Sequence, residues 1–152
     1  MNAQQYLREQ GTNFEVLSHR ATYSAQEMAA AVHVPGDEVA KTVLVKADGE
    51  YVLAVLQATR SIRLDLLAAA LKANDVQLAS ESEFNDLFPD CELGALPPFG
   101  SQYGIRTIVD RRLTEDETIV FEGNSHHEAI RMSLADYMQL EKPQIASFST
   151  HL

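Results

Sequence analysis

Val39–Gln57, VAKTVLVKADGEYVLAVLQ, carries the decisive pattern. Val39 to Ala47 is aliphatic and β-branched, Asp48-Gly49 interrupts it, and Glu50 to Gln57 resumes the apolar run. Asp-Gly between two apolar runs is a strong hairpin signal, because a tight two-residue turn needs positive φ at both positions. The second arm, YVLAVLQ, is nearly continuous in apolar residues. That predicts a central strand buried on both faces. Alternation puts Lys41, Val43 and Val45 on one face of the first arm, and Thr42, Leu44 and Lys46 on the other. A lysine sharing a face with two valines is a solvated residue at a strand start, a snorkelling chain or the mouth of a pocket. Spacing alone leaves these open. Lys46, beside the turn, reads as a surface charge.

Upstream of the hairpin, residues 2–10 suggest a short amphipathic helix capped by Asn2 and stopped by Gly11, with Tyr6 and Leu7 facing the core. Phe14 to Leu17 alternates as a short strand. Ser24 and Glu27 have the spacing of a capping box, opening an Ala-rich helix that stops before Pro35-Gly36. Downstream, Ser61 to Leu71 has a wide apolar face and is expected to be helical. Asp75 to Leu78 is a short strand, and Ser80 with Glu83 caps a helix ended by Pro89. Strands are expected over Ile105 to Val109, Glu117 to Phe121 and Ala129 to Met132. Ser133 and Asp136 cap a last helix, and the pattern assigns no structure to residues 143–152. A hairpin at the centre with irregularly interspersed helices is an α+β arrangement rather than βαβ alternation. The length, 152 residues, fits a single domain, 1–152.

GALPPFG, Gly94 to Gly100, has the opposite character. Two prolines fix φ and remove two amide donors, and the bounding glycines permit angles other residues avoid. Such a loop is stiff, which suits either a preorganised binding wall or a structural corner.

The net charge of −10 argues against general nucleic-acid binding, since nonspecific affinity comes from neutralised phosphates. A short nucleic-acid end in a locally basic pocket remains compatible with it. No window approaches the run of about 20 apolar residues that a membrane span needs, and the N-terminus lacks the apolar core of a signal peptide. A cytoplasmic location is the expectation, with no membrane. Cys91 cannot pair internally, and Asp90 and Glu92 flank it, a poor setting for a thiolate. His126-His127 with Glu122 and Glu128 could be taken for a metal cluster. Adjacent histidines on an extended segment point to opposite sides, so no metal site is expected. His19, His33 and His151 read as surface or packing residues, although Thr22 or Tyr23 could lend a hydroxyl to a pocket.

VAKTVLVK followed by a hairpin, then G-x-x-x-P running into Phe99-Gly100, then Gly-Asn-Ser-His-His and a capped terminal helix, together resemble the YbaK/ProX family. These are free-standing homologues of the editing (INS) domain of prolyl-tRNA synthetase. The resemblance runs from about Phe14 to Glu141, and its most specific part is AKT combined with GALPPFG. It implies a compact α+β fold around a mixed, partly barrel-like sheet. It also implies a trans-editing aminoacyl-tRNA deacylase, which hydrolyses the ester of tRNA mischarged with a small amino acid such as alanine, serine, threonine or cysteine. Lys41 then matches the lysine of the family's KT motif, with Thr42 beside it. The loop maps onto Gly94, Ala95, Leu96, Pro97 and Pro98, running on into Phe99 and Gly100. The family's later histidine falls at His126 or His127, and a late-strand aspartate at Asp110. Lys41, Gly94 and a histidine would be catalytic and the rest would bind substrate.

No cofactor is implied, because an aminoacyl ester is already activated. The partner the resemblance implies is the acceptor end of mischarged tRNA, with a synthetase or elongation factor as the candidate for its delivery. Lys41, Lys46, Arg60, Arg63, Lys72 and Arg106 are the candidate phosphate contacts. The competing reading is a non-catalytic binding module of the same fold that recognises a synthetase or an aminoacyl-nucleotide. An ordinary esterase using His126 or His127 as base is a third, lacking a Ser or Cys nucleophile motif.

Overall fold

A computed structural model of the protein describes residues 2–152. The Asp-Gly hairpin is its centre. Strands β2 (Ala40–Ala47) and β3 (Glu50–Gln57) pair antiparallel in continuous register, from Ala40 opposite Gln57 to Ala47 opposite Glu50. Asp48 and Gly49 both take positive φ, 48° and 86°, as the tight turn requires.

The hairpin sits inside a five-stranded mixed sheet. β5 (Val76–Leu78) pairs antiparallel with β2; β6 (Arg106–Asp110) lies parallel to β3; β9 (Gln144–Ala146) lies parallel to β6. β3 is therefore an interior strand, buried from Val52 onward, as its apolar run predicts. A second sheet of three antiparallel strands has β8 (Glu128–Ser133) between β1 (Glu15–Ser18) and β7 (Thr118–Glu122). A single parallel bridge, Val39 to Val120, joins the two sheets. The expected mixed sheet is present, but it does not close into a barrel: β5 and β9 are its edges.

Helices cover both faces of the hairpin, so the alternation in β2 has a physical readout. α3 (Leu64–Leu71) buries Leu67 and Leu71 against Val45, Val52 and Ile108. On the other face α4 (Glu81–Leu87) brings Phe84, with Phe88, against Leu44, Leu53 and Leu96. α1 (Ala3–Glu9), with its full Asn2 capping box, and α5 (Leu134–Glu141) enclose a third cluster containing Phe99, Phe121 and Tyr137.

Three local expectations are corrected. Ser61 to Leu71 is not all helix: β4 (Arg60–Ile62) occupies its start and α3 begins at Leu64. The cause is non-local, because β4 pairs with β10 (Ser149–His151) from the C-terminal segment. That segment, left without structure by its pattern, forms two strands. The capping box of α2 (Ala25–Ala31) is half made: Ser24 accepts from the Glu27 N–H, but the Glu27 carboxylate accepts from Tyr23 rather than from the cap.

Candidate active site

One cavity of about 400 Å³ lies over the first residues of β2. Lys41, Thr42 and Val43 form its floor. Gly94 and Leu96 from the stiff loop, Glu122 from the end of β7, Ser24–Gln26 at the start of α2, Ala58 and Leu152 complete it. The fold thus brings together residues from six separate parts of the chain.

Lys41 is half-buried, and that burial lowers its pKa below the ordinary amine range. No ion pair or hydrogen bond to its ammonium is present among the described residues. A desolvated cation without a protein partner costs stability and suits an anionic ligand. Beside it the Thr42 hydroxyl is buried and makes no hydrogen bond.

The loop supplies a backbone donor. Gly94 has φ +84°, a region that glycine enters freely. His126 hydrogen-bonds through Nε2 to the Leu93 carbonyl at 2.7 Å. A carbonyl can only accept, so Nε2 carries the hydrogen. In a trans peptide the next N–H points opposite the carbonyl. The Gly94 N–H is therefore turned away from the imidazole, and no acceptor within the described residues takes it. Ala95 is locked in place, donating to Glu92 O at 2.9 Å and accepting from Asn124 N at 3.1 Å.

His126 and His127 have different surroundings. His126 is buried: its Cε1 would lie 3.7 Å from a Cβ built on Gly94, and its Nδ1 faces Glu122 Oε1 at 3.3 Å. His127 is exposed, and its carbonyl accepts from the His19 N–H. His126 braces the loop from behind rather than lining the cavity. Burial pushes the Glu122 carboxyl up to about 7, partly opposed by the neighbouring imidazole. Burial alone would lower His126, but the Leu93 carbonyl and the Glu122 charge outweigh it and its pKa is raised.

The remaining sequence candidates are buried away from the cavity. Ala95, Pro97 and Pro98 form the loop's interior side, and Tyr137 donates its hydroxyl to Pro98 O at 2.8 Å. Phe99 is fully buried against Phe121 and Tyr137. Burial of such a ring contributes about 1.5–3 kcal/mol, enough to anchor the loop. Gly100 is sterically required, since a Cβ there would meet Ile105 O at 2.2 Å. Asp110 is buried with its carboxylate engaged: Oδ1 accepts from Phe148 N at 2.9 Å and Oδ2 from Arg112 N at 3.2 Å. Its contacts tie down the C-terminal segment. Cys91 is a buried thiol, pushed up to about 12 by burial and by the charges of Asp90, Glu122 and Glu92.

Sequence reasoning passed over Glu122 as part of the cavity. Its signal was the i, i+4 spacing to His126 across the Gly123-Asn124-Ser125 break, which returns the chain on itself. Tyr23 is 78% exposed, with its ring 5.5 Å from the His126 ring.

The family model of the aminoacyl-tRNA editing domain matches residues 19–140. The chain belongs to that family. This editing domain is 26% identical over 147 residues to the multifunctional Ser/Thr-tRNA deacylase ProXp-y of Escherichia coli (strain K12), covering 93% of this chain and 87% of the relative. It is 32% identical over 101 residues to the proline–tRNA ligase of Streptococcus pneumoniae (strain Hungary19A-6), covering 66% of this chain but only 16% of the ligase. Among solved structures, the hypothetical protein APE2540 superposes with a TM-score of 0.87 at 20% identity, covering 97% and 98% of the two chains. A candidate trans-editing enzyme for prolyl tRNA synthetase also gives 0.87, at 19% identity, covering 97% and 94%. These two show the shared fold. The kinship read from AKT and GALPPFG, to the prolyl-tRNA synthetase editing domain and its free-standing homologues, is shown by these matches.

Proposed function

We propose that this editing domain hydrolyses the ester between a small amino acid and the 3′ end of tRNA, acting as one unit over 1–152. The observation that carries this is the unpartnered Lys41 ammonium in one cavity with the free Gly94 N–H, on a chain of the editing family. The kinship to a Ser/Thr-tRNA deacylase supports the substrate class.

The chemistry needs little equipment. Water adds to the ester carbonyl, and the resulting oxyanion is received by the Gly94 N–H, which is already oriented and so costs no reorganisation. The carbon–oxygen ester bond then breaks, the ribose oxygen leaves with a proton, and the amino acid departs as carboxylate. The ribose hydroxyl beside the ester helps to activate the water. Lys41 holds a phosphate of the terminal nucleotide as a point charge. His126 holds the Leu93–Gly94 peptide in position, and most of the acceleration comes from positioning.

Small side chains are preferred because Leu96, Val43, Ala40 and Ala58 wall the cavity. A wall of this kind separates substrates that differ by one methylene by only about 1–3 kcal/mol. The protein grips only the acceptor end, and a synthetase or elongation factor in the cytoplasm delivers the tRNA. No helix among the described residues is long and apolar enough to cross a membrane.

The deciding experiment is deacylation of tRNAs charged with Ala, Ser, Thr, Cys and Pro by wild type and Lys41→Ala. Selective ester loss that disappears in a folded Lys41→Ala protein is expected. No loss above spontaneous hydrolysis on any of the five would replace the enzyme with a binding module.

A further inference from the structure

Among the described residues, Glu122 is the one acidic side chain that lines the cavity. Its side chain is only 8% exposed. Oε1 faces the His126 Nδ1, while Oε2 has no hydrogen-bond partner among the described residues. Oε2 is not sealed from solvent: it opens onto the cavity, where a donor on a ligand can reach it. The groups around it do not supply that donor. His126 already commits Nε2 to Leu93, so one nitrogen remains for Oε1. Glu92 adds a like charge, and the Cys91 thiol is held neutral by its own burial. Among the described residues, Lys41 is the one cationic side chain lining the same cavity.

An aminoacyl ester of tRNA offers matching chemistry. Its α-ammonium is one carbon removed from the ester carbonyl, and its phosphates begin beyond the ribose. A cavity with one anion, one cation and a free amide donor can therefore read polarity along the substrate. We propose that Glu122 is the substrate-binding residue for the α-ammonium group of the aminoacyl ester, which it receives at Oε2. This assignment rests on the deacylase reading above. Lys41 repels the ammonium and attracts the phosphate, so the two residues orient the ester with its carbonyl toward Gly94. The arriving ammonium also favours the ionised carboxyl, which leaves the proton on His126 Nδ1. An N-blocked ester, or any acyl group lacking an amine, is accordingly a poor substrate.

The test compares seryl-tRNA with N-acetylseryl-tRNA, which keeps the ester but loses the charge, on wild type and Glu122→Gln. Wild type is expected to cleave the acetylated ester at least about tenfold more slowly, the scale of one charged hydrogen bond. Glu122→Gln is expected to cleave both esters at similar, reduced rates. Glu122→Asp, which keeps the charge, is expected to keep the preference. Equal cleavage of the two esters by wild type, or an undiminished preference in folded Glu122→Gln, overturns the assignment. A binding measurement stands apart from turnover: 3′-serylamino-3′-deoxyadenosine and its N-acetyl form, titrated by calorimetry into wild type and Glu122→Gln. Selective binding of the free amine that needs Glu122, with no ester cleaved, would sustain this assignment and sink the deacylase reading. Indifference to acetylation would overturn the assignment even in an active enzyme.

Discussion

His126 donates from Nε2 to the Leu93 carbonyl at 2.7 Å, so a side chain from the β7–β8 connection sets the plane of a peptide in the stiff loop. One hydrogen bond thus couples the three-stranded sheet to the donor at Gly94. The bond uses the nitrogen that does not face Glu122, so it persists when the pair between them changes protonation.

His126→Ala should therefore lower deacylation about tenfold or more and destabilise the fold by about 1–3 kcal/mol, because Glu122 loses its partner and Leu93 its donor. His127→Ala should stay within about 0.5 kcal/mol of wild type with activity intact. Chemical denaturation with single-turnover kinetics separates the two. Equal effects would refute the division of roles.

Lys41→Met should reduce the single-turnover rate at subsaturating protein by about 10- to 100-fold, the scale of one hydrogen bond to a charged phosphate. It should not lower the melting temperature, because an unpartnered, half-buried cation is replaced by an apolar chain of similar length. A clear fall in melting temperature would show that Lys41 is a structural residue.

Gly94→Ala and Gly100→Ala should fail differently. Gly94 has room for a methyl but φ +84°, so the cost is about 1–2 kcal/mol of strain. The folded variant should lose activity as the peptide shifts. Gly100→Ala pushes a Cβ into the Ile105 carbonyl and should yield little folded protein. Soluble yield and circular dichroism distinguish them.

The pair Glu122–His126 gives a pH dependence with a definite sign. Glu122 rises from 4.5 to about 7, chiefly through burial, and His126 rises above 6.5. Both hold protons more tightly when folded. Their contribution is complete below the unfolded values and is lost as pH rises through about 7. Stability should fall between about pH 5 and 8, and Glu122→Gln should flatten that fall. Activity runs the other way, since ammonium binding needs the carboxylate. A rise of stability across this window in wild type would contradict the pair.

Salt dependence should be shallow. Arg60 is committed to Ser149, Lys46 to Glu83, Arg63 to Asp65 and Arg106 to Gln144. Of the six candidate phosphate contacts only Lys41 and Lys72 are without such a partner among the described residues. Two contacts on a single strand predict a log–log slope of about −1.4 for tRNA binding. A slope several times steeper would reveal a basic surface contributed elsewhere.

The hairpin, its turn and the buried central strand were legible because a local signal, Asp-Gly, agreed with a non-local one, the unbroken apolar run. The caps at Asn2, Ser80 and Ser133 were legible because they are local. Residues 60–62 were not. Their helical apolar pattern loses to pairing with residues 149–151, which lie far along the chain. Within the site, Lys41, Thr42, Gly94 and Leu96 followed from motifs and meet in the cavity. The loop motif also named Phe99 and Gly100, and the resemblance added Asp110 on a late strand, although all three anchor the loop and tail from inside the core. Glu122 was visible only as an acid near two histidines, because its meaning depends on burial, which no spacing reveals.

The latch on GALPPFG comes from late in the chain. Glu141 accepts from Ser101 N, Ser101 Oγ and Thr107 Oγ1, and Thr107 in turn accepts from Gly100 N. During synthesis the hairpin with Lys41 is made early, while the parts that clamp the loop and pair with β4 emerge about 100 residues later. The chain therefore carries its lysine well before the cavity that Lys41 lines has its loop clamped, and the two halves of the cavity are completed by contacts far apart in sequence.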